Sequence, residues 1–471
     1  MKTLNLFIGL LVSMLSFGQS IETRLADAVK RLEKDEQFKH AILAMYVVDS
    51  KTGKVMYDKN SQVGLAPASC QKVITSVSAF EMLGKDFRYK TSLSIDLYRQ
   101  PGNYNGLITV HGSGDPTLGS WRFDSTKPSY ILDKWCKVIK KTGIKKFHGV
   151  VRLDDVVGLD DMSMLPDGYI WQDIGNYYGA NTWLINWREN QYDIKFMRGS
   201  VNQVSTINSI FPEMPSLKFI NSVTIGEEGS GDNAYIYCPP YSDIAFIKGT
   251  IPPNKNDFTI SGSMPHPALV LGNEMIEEMK KNNIDTDSSF VTTNANWRVG
   301  NDDSFNPVIN ESIQYSPTLD SMNYWFLKKS VNLYGEAFLK TIGRQNEYKN
   351  STDAGAEEIK KFWSKHGIER SALNIIDGSG LSSANHVTTY ALVTIMQYAK
   401  LQNWFSSFYA ALPELNGIKM KDGYINGVRS FTGYVKSKTG TEYTFSFIVN
   451  NFDGSAGTVR EKMWKLLDFL K

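Results

Sequence analysis

Hydrophobic positions recur at helical spacing from Ile21 to Gln37, where Leu25, Ala28, Val29 and Leu32 share one face and charged residues fill the other. The period then shortens. Ala41 to Val48 and Lys54 to Tyr57 read as strands around the turn Ser50-Lys51-Thr52-Gly53, and Val73 to Leu83 reads as a helix that starts near Pro67. The far end mirrors this order: Val428 to Val435 and Tyr443 to Asn450 are expected strands, and Thr458 to Leu470 an amphipathic closing helix. Helix and hairpin at one end, with hairpin and helix at the other, predict that both ends of the chain share one antiparallel sheet.

Between roughly residues 95 and 300 the pattern changes to short strand-like runs separated by Gly, Pro, Asn and Asp, such as Leu107 to Val110, Val150 to Leu153 and Phe258 to Ser261. Helical spacing returns from Ser316 to Leu339 and from Ala354 to His366. The expected class is therefore α+β, with segments 19–95 and 300–471 forming one domain and a strand-rich body, 96–299, inserted into it. The first residues are of another kind. Lys2 precedes an apolar run from Leu4 to Phe17 that is too short to span a bilayer, and small residues follow at Ser16, Gly18 and Ser20. Residues 1–18 read as a secretory signal peptide, cut near Gly18 or Ser20, which implies export to the periplasm. No later stretch reaches ~18 apolar residues, so no transmembrane segment is expected in the mature chain.

Composition narrows the function. The 51 basic and 49 acidic residues among 471 give a net charge of +2, which offers no field for nucleic acid. Three cysteines, Cys70, Cys136 and Cys238, do not make a disulfide framework, and whether two of them pair stays open. No CxxC or HExxH occurs and the six histidines are scattered, so neither a metal nor any other cofactor is expected. The absence of GxSxG disfavours a nucleophile-elbow hydrolase.

The candidate chemistry lies in Ser69-Cys70-Gln71-Lys72. On a helix, residues three apart share a face, so the Lys72 amine reaches the Ser69 hydroxyl and serves as its base if burial and a neighbouring cation lower its pKa. Ser69 is the only serine in the chain with a lysine three residues later. Such enzymes also use an SxN tripeptide, which occurs at Ser200, Ser304, Ser321, Ser330 and Ser383. Context favours Ser330 and Asn332, Ser330 to pass a proton and Asn332 to hold a substrate amide. The third element should be a lysine on a strand. Lys-Thr-Gly occurs at Lys51, Lys141 and Lys438, each of which reads as a turn or a helix end. The better candidate is Lys421-Asp422-Gly423-Tyr424, which leads into the two closing strands.

These segments, in this order, resemble the D-alanyl-D-alanine carboxypeptidase/endopeptidase family of penicillin-binding protein 4 type, the class C low-molecular-mass penicillin-binding proteins. The matching stretches include Pro67 to Lys72, Gly112 to Leu118, Tyr178 to Ala180, Ser261 to Ser263, Ser316 to Leu319, Ser330 to Glu336, Asp377 to Ser382 and Gly433 to Val435. The resemblance implies a β-lactamase/transpeptidase-like domain interrupted by the insertion. It implies Ser69 as acylated nucleophile, Lys72 as base, Ser330 as proton shuttle, Asn332 as substrate anchor and Lys421 as electrostatic partner. The backbone N–H groups of Ser69 and Tyr424 would form the oxyanion hole. Trp171 and Asp173 fall in the segment that in the family faces the diaminopimelate side chain, and Asp422 and Gly423 occupy substrate-binding positions. The implied partners are peptidoglycan stem peptides, with β-lactam antibiotics as covalent inhibitors. Gly112 to Thr117 and Asp377 to Ser382 read as loop structure from Gly and Asp turn chemistry.

One position departs from the family. The third motif normally carries Thr or Ser where this chain has Asp422. Two like charges ~4 Å apart at an effective dielectric near 20 repel by about 4 kcal/mol, so removal of a terminal D-Ala is expected to be weakened unless Lys421 or a nearby arginine offsets the charge. A catalytically weakened penicillin-binding or cell-wall binding module is the alternative. A β-lactamase fits less well, since in Leu412-Pro413-Glu414-Leu415-Asn416 the deacylating glutamate's position falls on Leu412.

Overall fold

The computed structural model describes residues 20–100, 103–155, 165–180, 182–214, 216–240, 242–253, 257–286, 289–293, 312–347 and 351–471. The proposed signal peptide lies outside these residues.

The two ends of the chain form one six-stranded antiparallel sheet, in the order Glu414–Leu415, Ile418–Ile425, Val428–Lys436, Glu442–Asn450, Ile42–Asp49 and Val55–Lys59. The first long strand pairs with the last, Ile42 opposite Asn450 and Met45 opposite Phe447. Alternation then sends successive side chains to opposite faces. Met45, Val47, Phe445, Phe447 and Val449 pack against the terminal helices Ile21–Glu33 and Ala456–Leu467. Ala44, Tyr434 and Ile448 pack on the other side into a helical layer built by Gln71–Met82, Leu319–Lys328, Asn332–Glu347, Thr352–Lys365 and Thr389–Lys400. Both faces are covered, which is why these strands read as nearly continuous apolar runs.

The middle of the chain is a second body with its own core. A five-stranded mixed sheet runs in the order Phe290–Thr293, Phe147–Asp154, Asn103–His111, Lys90–Gln100 and Ser312–Tyr315. Its parallel neighbours Asn103–His111 and Phe147–Asp154 are joined through the helix Pro128–Lys141. Two three-stranded sheets follow, one of Lys218–Ile225, Ile244–Ile251 and Tyr235–Tyr237, the other of Phe258–Ser263, Gln191–Phe196 and Ile207–Phe211. The chain leaves and re-enters the terminal body side by side: Arg88 Nη1 donates to Ser316 O at 2.7 Å and Tyr89 N to Ser316 Oγ at 2.9 Å. Residue 95 falls inside the strand Lys90–Gln100, so that strand straddles the expected boundary, and the edge strand Ser312–Tyr315 beside it comes from beyond the 96–299 segment.

Cys70, Cys136 and Cys238 are buried thiols, none joined in a disulfide. No helix among the described residues is long and apolar enough to cross a membrane.

Candidate active site

Ser69 sits in a 3-10 turn, Ala68–Cys70, that feeds directly into the helix Gln71–Met82. Ala68 has a φ of +46°, a left-handed conformation that costs a residue with a Cβ about 1–2 kcal/mol. Close packing on both sides holds the turn there. A Cβ at Gly380 would lie 1.9 Å from Ala68 O, and one at Gly423 would lie 2.7 Å from Pro67 O and 2.8 Å from Ser69 N. Only glycine allows those two segments to approach the Ser69 turn so closely.

Lys72, one turn on, is completely buried. Its Nζ lies 2.9 Å from Ser69 Oγ, 2.6 Å from Asn332 Oδ1 and 2.7 Å from Ser379 O. Burial, reinforced by the positive charge of Lys421, lowers its pKa to about 7 against the opposing pull of Asp377, Glu336 and Asp422. A neutral amine carries two N–H bonds and one lone pair. The Asn332 amide oxygen and the Ser379 carbonyl only accept, so they take both protons, and the lone pair is left facing Ser69, the one partner able to donate.

Ser330 and Asn332 come from a break in the helical stretch expected over Ser316 to Leu339. The stretch divides into Leu319–Lys328 and Asn332–Glu347 because Ser330 adopts a φ of +55°, which no α-helix accommodates. That turn brings Lys329, Ser330, Val331 and Asn332 into the wall of a cavity of about 920 Å³ that also holds Ser69. Asn332 is fixed from the insertion as well, its Nδ2 donating to Tyr178 O at 2.7 Å.

The strand Ile418–Ile425 carries the third motif along the edge beside Ser69, where Tyr424 lines the cavity. Lys421 is buried, and its Nζ donates to Asp422 O at 2.6 Å and to Asp422 Oδ1 at 3.1 Å. Asp422 Oδ2 also lies 4.0 Å from Arg429 Nη2. Burial pushes the Asp422 carboxyl up, but Lys421 and Arg429 outweigh it and hold the pKa below its ordinary value. Asp422 is therefore an anion flanked by two cations. The three Lys-Thr-Gly sequences lie elsewhere: Lys51 in the first hairpin turn, Lys141 at a helix end before Gly143 at a φ of +81°, and Lys438 in the turn before Glu442–Asn450.

Asp173 lines the cavity, and its carboxyl is raised by burial while accepting from Tyr178 Oη at 3.3 Å. Trp171 is half exposed just outside, its ring 5.8 Å from that of Tyr237. Glu414 pairs with Lys419 at the sheet edge and does not border the cavity, and Leu412 is buried, so neither supplies a deacylating carboxylate beside Ser69.

Three further features support the site, none of them assigned a chemical role from the sequence. The loop Asp377 to Ser382, read as turn chemistry, does obey it: Gly380 N and Ser382 N both donate to Asp377 at 2.6 Å. It also carries the carbonyl that fixes Lys72. Beneath it lies Glu336, which accepts from Gly378 N at 3.0 Å and from Tyr169 Oη at 3.1 Å. Burial beside Asp377 raises Glu336 to about 7. Tyr169 reaches this point from the insertion and also lies 3.2 Å from Ser379 Oγ. The third is Glu189, which receives Ser120 Oγ and Tyr334 Oη at 2.7 Å and Arg122 Nε at 2.8 Å. It sits on three successive left-handed residues, Arg188, Glu189 and Asn190, with φ of 55°, 52° and 53°. Strain of that kind persists only where surrounding contacts fix it. Glu336 closes the Ser330 to Glu336 stretch, which was the one available signal for it; for Tyr169 and Glu189 the sequence held none.

The chain resembles known proteins over nearly its full length. The model of the D-Ala-D-Ala carboxypeptidase 3 (S13) family matches residues 25–469. A D-alanyl-D-alanine carboxypeptidase of Actinomadura sp. (strain R39) is 24% identical over 468 residues, covering 92% of this chain and 82% of that protein. The D-alanyl-D-alanine carboxypeptidase DacB of Haemophilus influenzae is 21% identical over 433 residues, covering 87% and 85%. The crystal structure of penicillin-binding protein 4 (dacB) from Haemophilus influenzae superposes with a TM-score of 0.74 at 19% identity, over 94% of this chain and 97% of that one. The same protein complexed with a β-lactam superposes with a TM-score of 0.71. These superpositions establish the shared fold.

Proposed function

We propose, from the premise that this chain belongs to the D-Ala-D-Ala carboxypeptidase 3 (S13) family, how its residues carry out serine-type carboxypeptidase chemistry. The reading rests on one observation above all, the buried Lys72 amine 2.9 Å from Ser69 Oγ with a pKa of about 7. Neutral Lys72 takes the Ser69 proton as Oγ attacks the carbonyl of the penultimate D-Ala of a peptidoglycan stem peptide. The backbone N–H groups of Ser69 and Tyr424 receive the oxyanion. The C–N bond to the terminal D-Ala breaks, and its amine leaves with the proton returned from Lys72 through Ser330. Water then hydrolyses the ester on Ser69. Asn332 holds Lys72 and the substrate amide, while Lys421 supplies positive charge. A β-lactam takes the same attack at its strained amide, and its leaving nitrogen stays tethered, so the ester persists.

Asp422 shapes the specificity. The pair of cations around it leaves a net positive charge at the strand edge, which supports recognition of a carboxylate, but the carboxylate oxygens themselves oppose it. Slow release of terminal D-Ala, with cleavage of cross-links by the same acyl-enzyme route, follows from that balance. Substrate of this kind places the enzyme in the periplasm, in keeping with the apolar leader at residues 4–17.

Labelling with fluorescent penicillin tests the reading. Wild type should carry one stable label that Ser69→Ala abolishes. A wild type without label would leave the fold as a cell-wall binding module, and rapid turnover of nitrocefin would make it a β-lactamase.

A further inference from the structure

The three-stranded sheet of Lys218–Ile225, Ile244–Ile251 and Tyr235–Tyr237 has one face in the core of the insertion, where Val223, Ile225, Ile236, Ala245 and Ile247 are buried. Its other face should then be polar. Instead, Ile220 is 51% exposed, Ile244 42% and Phe246 50%. Register places them together, Phe246 between Ile220 on one side and Tyr237 on the other. Tyr237 is extended by the Trp171 ring 5.8 Å away, itself 50% exposed. Polar groups are interleaved with these: Ser222 and Tyr235 flank Lys248, and the Lys248 amine stands 4.8 Å over the Tyr237 ring.

This face is continuous with the active-site cavity. Tyr235 is on the same side of its strand as Tyr237 and lines the cavity, as do Ile170 and Gln172 on either side of Trp171. A stem peptide in the cavity remains attached to its glycan strand, so the polysaccharide must leave over the surface bordering the mouth. A sugar ring has an apolar C–H face and a hydroxyl rim, which matches aromatic and aliphatic side chains set among Ser222, Lys248 and the tyrosine hydroxyls. From Ile244 to Lys248 the platform is about 13 Å long, and its three strands span about 10 Å.

We propose that the outer face of this sheet, centred on Phe246, Tyr237 and Ile220, is a glycan-binding platform that carries the N-acetylated sugar strand of the substrate away from Ser69. The platform deepens the carboxypeptidase reading and rests on it. It gives the insertion a function, to discriminate polymeric peptidoglycan from free peptide.

The test uses the mature full-length protein and the double variant Ile220→Ser, Phe246→Ser. Peptide-free glycan strands should bind wild type and bind the variant about tenfold more weakly, the cost of losing one stacking aromatic and its neighbour. Penicillin acylation of Ser69, which does not use this face, should be the same in both and shows that the variant is folded. Failure of wild type to bind glycan strands, or equal binding by the variant, overturns the platform. So does a change of oligomeric state in the variant with glycan binding unmoved, which would make the face a protein contact. If penicillin fails to label wild type, it is the carboxypeptidase reading that falls, whatever the glycan strands do.

Discussion

The Tyr169 hydroxyl, supplied by the insertion, donates to Glu336 Oε1 of the catalytic body at 3.1 Å. Glu336 is one of the charges that raise Lys72, so a residue of the insertion acts on Lys72 through one carboxylate and, through Ser379, on the loop that fixes it.

Acylation should therefore report this linkage in its pH dependence. Lys72 must be neutral to accept the proton, so the second-order rate of penicillin acylation should rise with pH through about 7 and level off. Tyr169 lowers the Glu336 pKa. In Tyr169→Phe, Glu336 binds its proton more tightly, less negative charge faces Lys72, and the midpoint should move to lower pH. Glu336→Gln should move it the same way by about half a unit or more, where one unit corresponds to ~1.4 kcal/mol. A purely structural role for Tyr169 would lower the rate at every pH and leave the midpoint in place.

The same shift has a consequence for stability. Between about pH 7 and the ordinary lysine range, the unfolded chain binds a proton at Lys72 that the folded chain does not. The contribution of Lys72 to stability should rise with pH across that window. Thermal melting of wild type and Lys72→Met should show the difference between them shrinking from pH 7 to pH 9, as the cost of removing the Lys72 proton on folding falls.

Gly423→Ala should remove activity without removing the fold. The new Cβ would stand 2.3 Å from Ser430 Oγ and 2.8 Å from Ser69 N. Relief requires the strand edge to move away from Ser69, and a misplacement near 1 Å costs on the order of a hundredfold. Acylation kinetics beside a circular dichroism melt would separate the two effects.

Asp422→Thr should lower KM for a D-Ala-D-Ala peptide with a free terminal carboxylate by about tenfold, a fraction of the bare repulsion because Lys421 and Arg429 already offset the charge. A peptide with an amidated terminus should be unaffected. Equal changes for both peptides would show that Asp422 acts on the strand and not on the carboxylate.

Glu189→Ala should destabilise the seam between the two bodies by about 3 kcal/mol, because Arg122 keeps its charge in a largely buried place and the Tyr334 hydroxyl loses its acceptor. Glu189→Gln, which keeps an acceptor for Tyr334, should cost less. Chemical denaturation of the three proteins gives the comparison.

Much of this arrangement was legible along the chain. Local periodicity located the closing strands and terminal helices, because an apolar stripe repeats at the spacing of the element that buries it. Short motifs located Ser69 and Lys72, since their spacing on one helix face is itself the geometry. The helix break at Ser330 was not legible, because a left-handed serine leaves no mark on hydrophobic spacing. The boundary of the insertion was blurred for a related reason: the strand Lys90–Gln100 follows the helix Gln71–Met82 in sequence but pairs with Ser312–Tyr315, more than two hundred residues on.

What the sequence determined by itself was the inventory of chemistry: a serine, a lysine three residues on, an SxN tripeptide and a strand lysine followed by aspartate. Tertiary structure alone decided what state those groups are in. Lys72 is near neutrality because folding removes its water and brings Lys421 towards it from a strand near the other end of the chain, while Asn332 and the Ser379 carbonyl claim its two protons. Asp422 is an anion because the same folding sets it between Lys421 and Arg429. Charge and proton position depend on distances through space between residues hundreds of positions apart, and no local pattern encodes those distances.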